Sequence, residues 1–253
     1  NKPKQEAIDF YAGLMNLPEG STVVIQSDWT NSTRGESRGQ FDALLRILMR
    51  RGIKFAIISV GDVQAPQVAR DVVEQINRER IALGKGQYTR WNDWVSLGLF
   101  PNAEGTGNAI AANIRQAFAN KQDNDPSGGK SPVMESPVLS SINSVKDLSG
   151  FILVTGTKSS QIAIERLNGR VPMYAMVTGV MGPETLTYYV SGQLSGMSAG
   201  LKGVYDVENL MEAGITYNSK SGVQINVPGF AGEKNLDRGS QYILALHSAI
   251  FLL

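Results

Sequence analysis

The chain has 253 residues and carries 24 Lys and Arg against 23 Asp and Glu, a size that suits one large α/β domain or two small ones. A net charge of +1 offers no electrostatic footprint for nucleic acid. With no cysteine and a single histidine, His247, the sequence excludes disulfides, thiolate nucleophiles and cysteine metal sites, and leaves its globular part without an imidazole for base catalysis.

Helical spacing of Ile8, Tyr11, Leu14 and Met15 predicts a first helix over residues 4–17, stopped by PEGS. TVVIQSD, ending at Asp28, is apolar and β-branched and reads as a buried strand. WTNSTRGESRG follows as a polar loop. The run QFDALLRILMRRG places Phe41, Leu44, Leu45 and Leu48 on one side of a helix that stops at Gly52. The pattern then repeats: strand IKFAIISV, helix over 65–86, strand DWVSLGLF, helix NAIAANIRQAFAN. Residues 121–137 are rich in Pro, Gly and Ser and read as a loop excursion. Beyond them come strand FILVTGT, helix SSQIAIERLNG, strand PMYAMVTG, helix PETLTYYVSGQLSG and a further helix over 200–214, with a hairpin expected around residues 219–222.

Solid apolar strands alternating with helices predict a three-layer α/β sandwich with a mainly parallel, doubly wound, Rossmann-like sheet of about five strands. Residues 1–241 form this single domain. Residues 242–253, YILALHSAIFLL, carry no charge and are apolar on nearly every side. A helix apolar all round has to be buried, either as a C-terminal core helix or in a membrane, and the near absence of a polar side favours the start of a transmembrane helix.

In such sheets ligands lie beyond the carboxyl ends of the strands. The loops there offer Asp28, Asn31 and Ser32 after the first strand, Gly105 and Gly107 after the third, and Gly156, Thr157 and Ser159 after the fourth. Amides at the helix starts over 105–108 and 156–160 suit an anion, and the same glycines also suit turns and caps. Neither a P-loop nor a dinucleotide fingerprint is present. Asp28 and Asp62, at adjacent strand ends, suggest a hard cation; Asp28 equally suits a cap or a partner for Arg34 or Lys158. No cofactor and no resident metal is expected.

The segment SGQLSGMSAGLKG sets Gly192, Gly196 and Gly200 four apart, with Gly203 beyond. Continued as a helix, they form a small-residue face for close backbone packing, within the domain or between copies. If the chain breaks near Gly192 and restarts near Leu201, close packing of backbones remains the reading. Together with GSTVVIQSDW, DWVSLGLFP and VTGVMGPETLTYYV, this block resembles a family of prokaryotic membrane-anchored α/β-domain proteins without an assigned activity. The resemblance spans most of residues 5–212. It implies membrane anchoring at both ends, which places a second helix before Asn1, and it carries over no catalytic residue. Lys2, Lys4, Lys234 and Arg238 flank the domain without fixing the membrane face.

Three functions follow as expectations. The first is a non-catalytic structural or accessory subunit of a membrane assembly, touching lipid and working as a homo-oligomer or bound subunit. The second is a binding domain for a small anionic ligand at the strand-end crevice. The third is a metal-assisted enzyme using Asp28 and Asp62.

Overall fold

Every residue of Thr22–Asp28 is buried, and the rest of the protein is arranged around this strand. A computed structural model describes residues 2–219 and 221–230. In chain order the elements are α1 (Gln5–Met15), β1 (Thr22–Asp28), α2 (Arg34–Arg50), β2 (Lys54–Ser59), α3 (Ala65–Ala82), β3 (Trp94–Leu99), α4 (Ala103–Ala112) and α5 (Ile114–Phe118). Then come β4 (Gln122–Asn124), β5 (Lys130–Pro132), β6 (Gly150–Thr155), α6 (Ser159–Leu167), β7 (Met173–Val177), α7 (Gly182–Val190), β8 (Gly196–Ala199), α8 (Gly200–Ala213), β9 (Ile215–Asn218) and β10 (Gln224–Val227).

The central sheet has six strands in the order β3-β2-β1-β6-β7-β8, all parallel. Numbered within the sheet this is 3-2-1-4-5-6, the doubly wound order whose direction of winding reverses between β1 and β6. Alternation along β1 feeds two cores. Val23 and Ile25 join Phe10, Leu14, Phe41, Leu44, Val73 and Leu210 on the side of α1, α2, α3 and α8. Val24 joins Phe151, Ile110, Phe118 and Ile164 on the side of α4, α5 and α6. Phe41, Leu44, Leu45 and Leu48 of α2 are fully buried, and each contributes about 1.5–3 kcal/mol by leaving water.

The three-layer parallel architecture agrees with the sequence reading, and four local features differ. α2 starts at Arg34, well inside the stretch expected as loop. A 3-10 turn over Asn31–Thr33, capped by Thr30, launches it, and the small residues Ser37 and Gly39 let the helix settle closely. The helix expected over 108–120 begins at Ala103 and breaks at Asn113, whose extended backbone ends α4 and whose side chain caps α5. The excursion carries the β4–β5 hairpin and then lays Val133, Val138 and Leu139 into the second core. Finally, Gly196 lies in a sixth strand, β8, and not in a helix. The hairpin around 219–222 is present as β9–β10.

Among the described residues no helix is long and apolar enough to cross a membrane. The apolar run at 242–253 lies outside the described residues.

Candidate functional site

The doubly wound order directs attention to the carboxyl ends of β1 and β6. Asp28 closes β1 there and is 4% exposed. Its Oδ1 accepts from the amides of Val60 (2.6 Å) and Gly61 (3.3 Å) in the loop after β2. Its Oδ2 accepts from Gln26 Nε2 and from Ser159 Oγ, both at 2.8 Å. Four donors fill the four acceptor positions of a carboxylate. Burial nevertheless pushes the Asp28 carboxyl above the ordinary aspartate range, outweighing those hydrogen bonds. Neither Arg34 nor Lys158 is its partner. Gln26 is, because period-2 alternation puts residues 26 and 28 on one face of β1, together with Ser159 at the start of α6.

The loop after β6 continues this network. Thr155 Oγ1 lies 3.0 Å from Thr157 Oγ1, and Thr157 Oγ1 lies 2.9 Å from Ser159 Oγ. Because Ser159 gives its proton to Asp28, its oxygen is left to accept from Thr157. The amides of Thr157 and Ser159, which an anion would need, donate instead to Thr155 Oγ1 and Thr157 Oγ1.

Three loops meet at Gly156. A Cβ there would lie 2.9 Å from Thr33 Cγ2 and 3.1 Å from Thr178 Cγ2, so the loops after β1, β6 and β7 touch with no room for a side chain. Glu36 Oε2 accepts from the Gly179 amide at 2.6 Å and ties α2 to the loop after β7. Gln40 Nε2 donates to Val177 O at 2.6 Å. Around Gly156 the protein's own threonine side chains leave no room for a Cβ.

Of the residues singled out in sequence, Asp28, Gly156, Thr157 and Ser159 converge. Asn31 and Ser32 sit in the exposed 3-10 turn beside them, with Ser32 Oγ 2.8 Å from Thr30 Oγ1. Gly105 and Gly107 belong to α4, after the edge strand β3. The Gly105 amide is taken by its cap Asn102, and Gly107 faces Arg166 of α6, where a Cβ would come within 3.3 Å. Gly107 thereby serves packing between α4 and α6. Asp62 Oδ1 accepts from the Gln64 amide at 2.7 Å. Among the described residues no three His, Asp or Glu gather to hold a metal. Gln26, Thr33, Glu36, Gln40 and Thr178 complete the cluster. Two of these carried a signal: Gln26 in its spacing from Asp28, and Thr178 as a hydroxyl at a strand end.

The glycine block is a packing device of a different design from a helix face. Gly192 ends α7 with φ +82. A Cβ at Gly196 would lie 2.8 Å from Asp9 C and closer still to the Phe10 backbone, so α1 rests directly on β8. Gly200, at φ +61, meets Gly179, and Gly203 of α8 packs on Ser198.

Comparison with protein-family models, with curated proteins and with solved structures found no match.

Proposed function

We propose that this chain is a non-catalytic subunit of a membrane-associated assembly, and that it meets a partner chain or another copy through its carboxyl-end loops. The observation that carries this reading is the contact of three loops at the switch point: Thr33 and Thr178 close on Gly156, and Asp28 has its acceptors occupied from within. Around this self-satisfied centre two large apolar side chains face solvent, Val63 at 76% and Val180 at 89% exposure. Exposed apolar groups beside a rigid polar platform suit a protein contact. The uncharged run at 242–253 supplies the membrane attachment in this reading.

A photo-crosslinking residue placed at Val180 in the full-length, membrane-inserted chain tests it. The reading expects one discrete protein adduct, absent when the probe stands at the exposed Lys146, in the turn before β6. No adduct at Val180, or equal labelling at both positions, would sink it.

A further inference from the structure

A groove of about 330 Å³ lies at the other end of the sheet, between α3 and residues 87–94. One wall is a stripe of α3, in which Glu74, Asn77, Arg78 and Ile81 follow the i, i+3, i+4, i+7 spacing of one helix face. The floor is aromatic. Tyr88 and Trp94 both stack on Phe55, with ring centroids 5.7 and 6.4 Å away.

This floor is held rigidly. Asn77 Nδ2 donates to Tyr88 O at 2.8 Å and Asn77 Oδ1 accepts from the Tyr88 amide at 2.9 Å. Tyr88 Oη donates to Ile53 O at 2.8 Å. Between the lining residues Arg90 and Trp94, Trp91 adopts φ 77, the one left-handed non-glycine residue among those described. A bulky residue in that region is strained and persists only where its surroundings fix it; such strain gathers at ligand clamps.

The charges divide into engaged and free. Arg90 is engaged: it pairs with Asp123, and its guanidinium lies 5.3 Å from the centroid of the Trp94 ring. Glu74 and Arg78 are free. Among the described residues neither makes a hydrogen bond or ion pair, and they do not pair with each other. They stand one helical turn apart, about 5–6 Å between Cβ atoms, and line the same groove. An anion alone would meet Glu74, and a cation alone would meet Arg78. A molecule carrying both charges a few ångströms apart satisfies both. Ile81, one turn further and 54% exposed, then faces an apolar substituent. The volume sits at the bottom of the ~300–1,000 Å³ range of small-molecule sites, which suits a ligand far smaller than a dinucleotide.

We propose that this groove binds a small zwitterion of the α-amino acid class with an apolar side chain, its carboxylate on Arg78 and its ammonium on Glu74. The site is independent of the function proposed for the carboxyl-end loops.

The test titrates L-leucine into the full-length chain in mild detergent, followed by calorimetry and tryptophan fluorescence. N-acetyl-L-leucine, which lacks the ammonium, and isoamylamine, which lacks the carboxylate, serve as controls. Leucine should bind saturably, and each control should bind about ten-fold or more weakly, as expected for one lost charge-assisted contact. Arg78→Gln and Glu74→Gln should each weaken leucine by a similar factor without moving the melting temperature. Glu74→Gln should not weaken N-acetyl-L-leucine. If leucine and L-phenylalanine both fail to bind up to their solubility limits, or if the variants bind leucine as the wild type does, the proposal is overturned.

Discussion

Ser159 Oγ donates to Asp28 Oδ2 at 2.8 Å, and this bond joins the start of α6 to the end of β1 where the sheet reverses its direction of winding. A side chain from the helix that follows the fourth central strand is thereby tied to the end of the first.

This bond and its neighbours fix a pH dependence. Burial raises the Asp28 carboxyl above its ordinary value of 3.8, so the folded state holds this proton more tightly than the unfolded chain. The stability linked to it is fully present below 3.8 and is lost as pH rises through the folded value. Asp28→Asn keeps an acceptor for the Val60 and Gly61 amides and removes the titration. Urea unfolding across pH should show the variant gaining on the wild type as pH rises from about 3.8, then levelling. Asp28→Ala should instead cost about 1–3 kcal/mol for each buried amide left unpaired. A stability difference between the Asp28→Asn variant and the wild type that is flat with pH would contradict the account.

Gly196→Ala should destabilise the domain by about 3 kcal/mol or more, at or above the upper end of ordinary overpacking, because its Cβ would press into the backbone of α1. Gly192→Ala meets no atoms and bears only its left-handed backbone, a cost of about 1–2 kcal/mol. Chemical denaturation ranks the two. Equal effects would show that α1 does not rest on β8.

Ser37 is fully buried in α2, and among the described residues its hydroxyl has no hydrogen-bond partner. Ser37→Ala removes an uncompensated polar group and favours the helix, so the variant should gain about 1 kcal/mol in unfolding free energy. A loss of stability would mean that the hydroxyl is paired.

The strands were legible wherever burial on both faces gave a continuous apolar run, as in β1, β2, β6 and β7. β8 was not, because Gly196, Met197, Ser198 and Ala199 are small or flexible residues without a strand pattern; they are selected by contact with α1, a partner nearly two hundred residues away in sequence. The start of α2 was hidden by Gly35, Ser37 and Gly39, which disfavour a helix locally; Ser37 and Gly39 are buried there, whereas Gly35 meets nothing within 4 Å. At the site, Asp28 and the Thr157–Ser159 pair were visible as polar residues at strand ends. Their closure onto one another was not, since Thr33 and Glu36 read as ordinary loop residues until α2 carries them over Gly156 and Gly179.

The excursion at 121–137 should resist proteolysis except at its tip. Asp123 accepts from the Ser96 amide at 2.8 Å and pairs with Arg90, and Val133, Val138 and Leu139 are fully buried. Limited digestion mapped by mass spectrometry should give cuts only near residues 126–130. Asp123→Ala, which leaves a donor and a guanidinium unpaired, should open the whole segment to cleavage. Uniform cutting across 121–137 in the wild type would contradict this packing.

The particle mass of the full-length chain in mild detergent, with and without Val180→Asp, bears most directly on the proposed role. Val180 is almost wholly exposed and belongs to neither core, so the substitution should leave the melting temperature unchanged. The wild type is expected at a mass above one chain, and Val180→Asp is expected to lower it toward one chain. A wild type at the mass of a single chain, or a mass untouched by Val180→Asp and Val63→Asp together, would contradict a role through contact at the carboxyl-end loops.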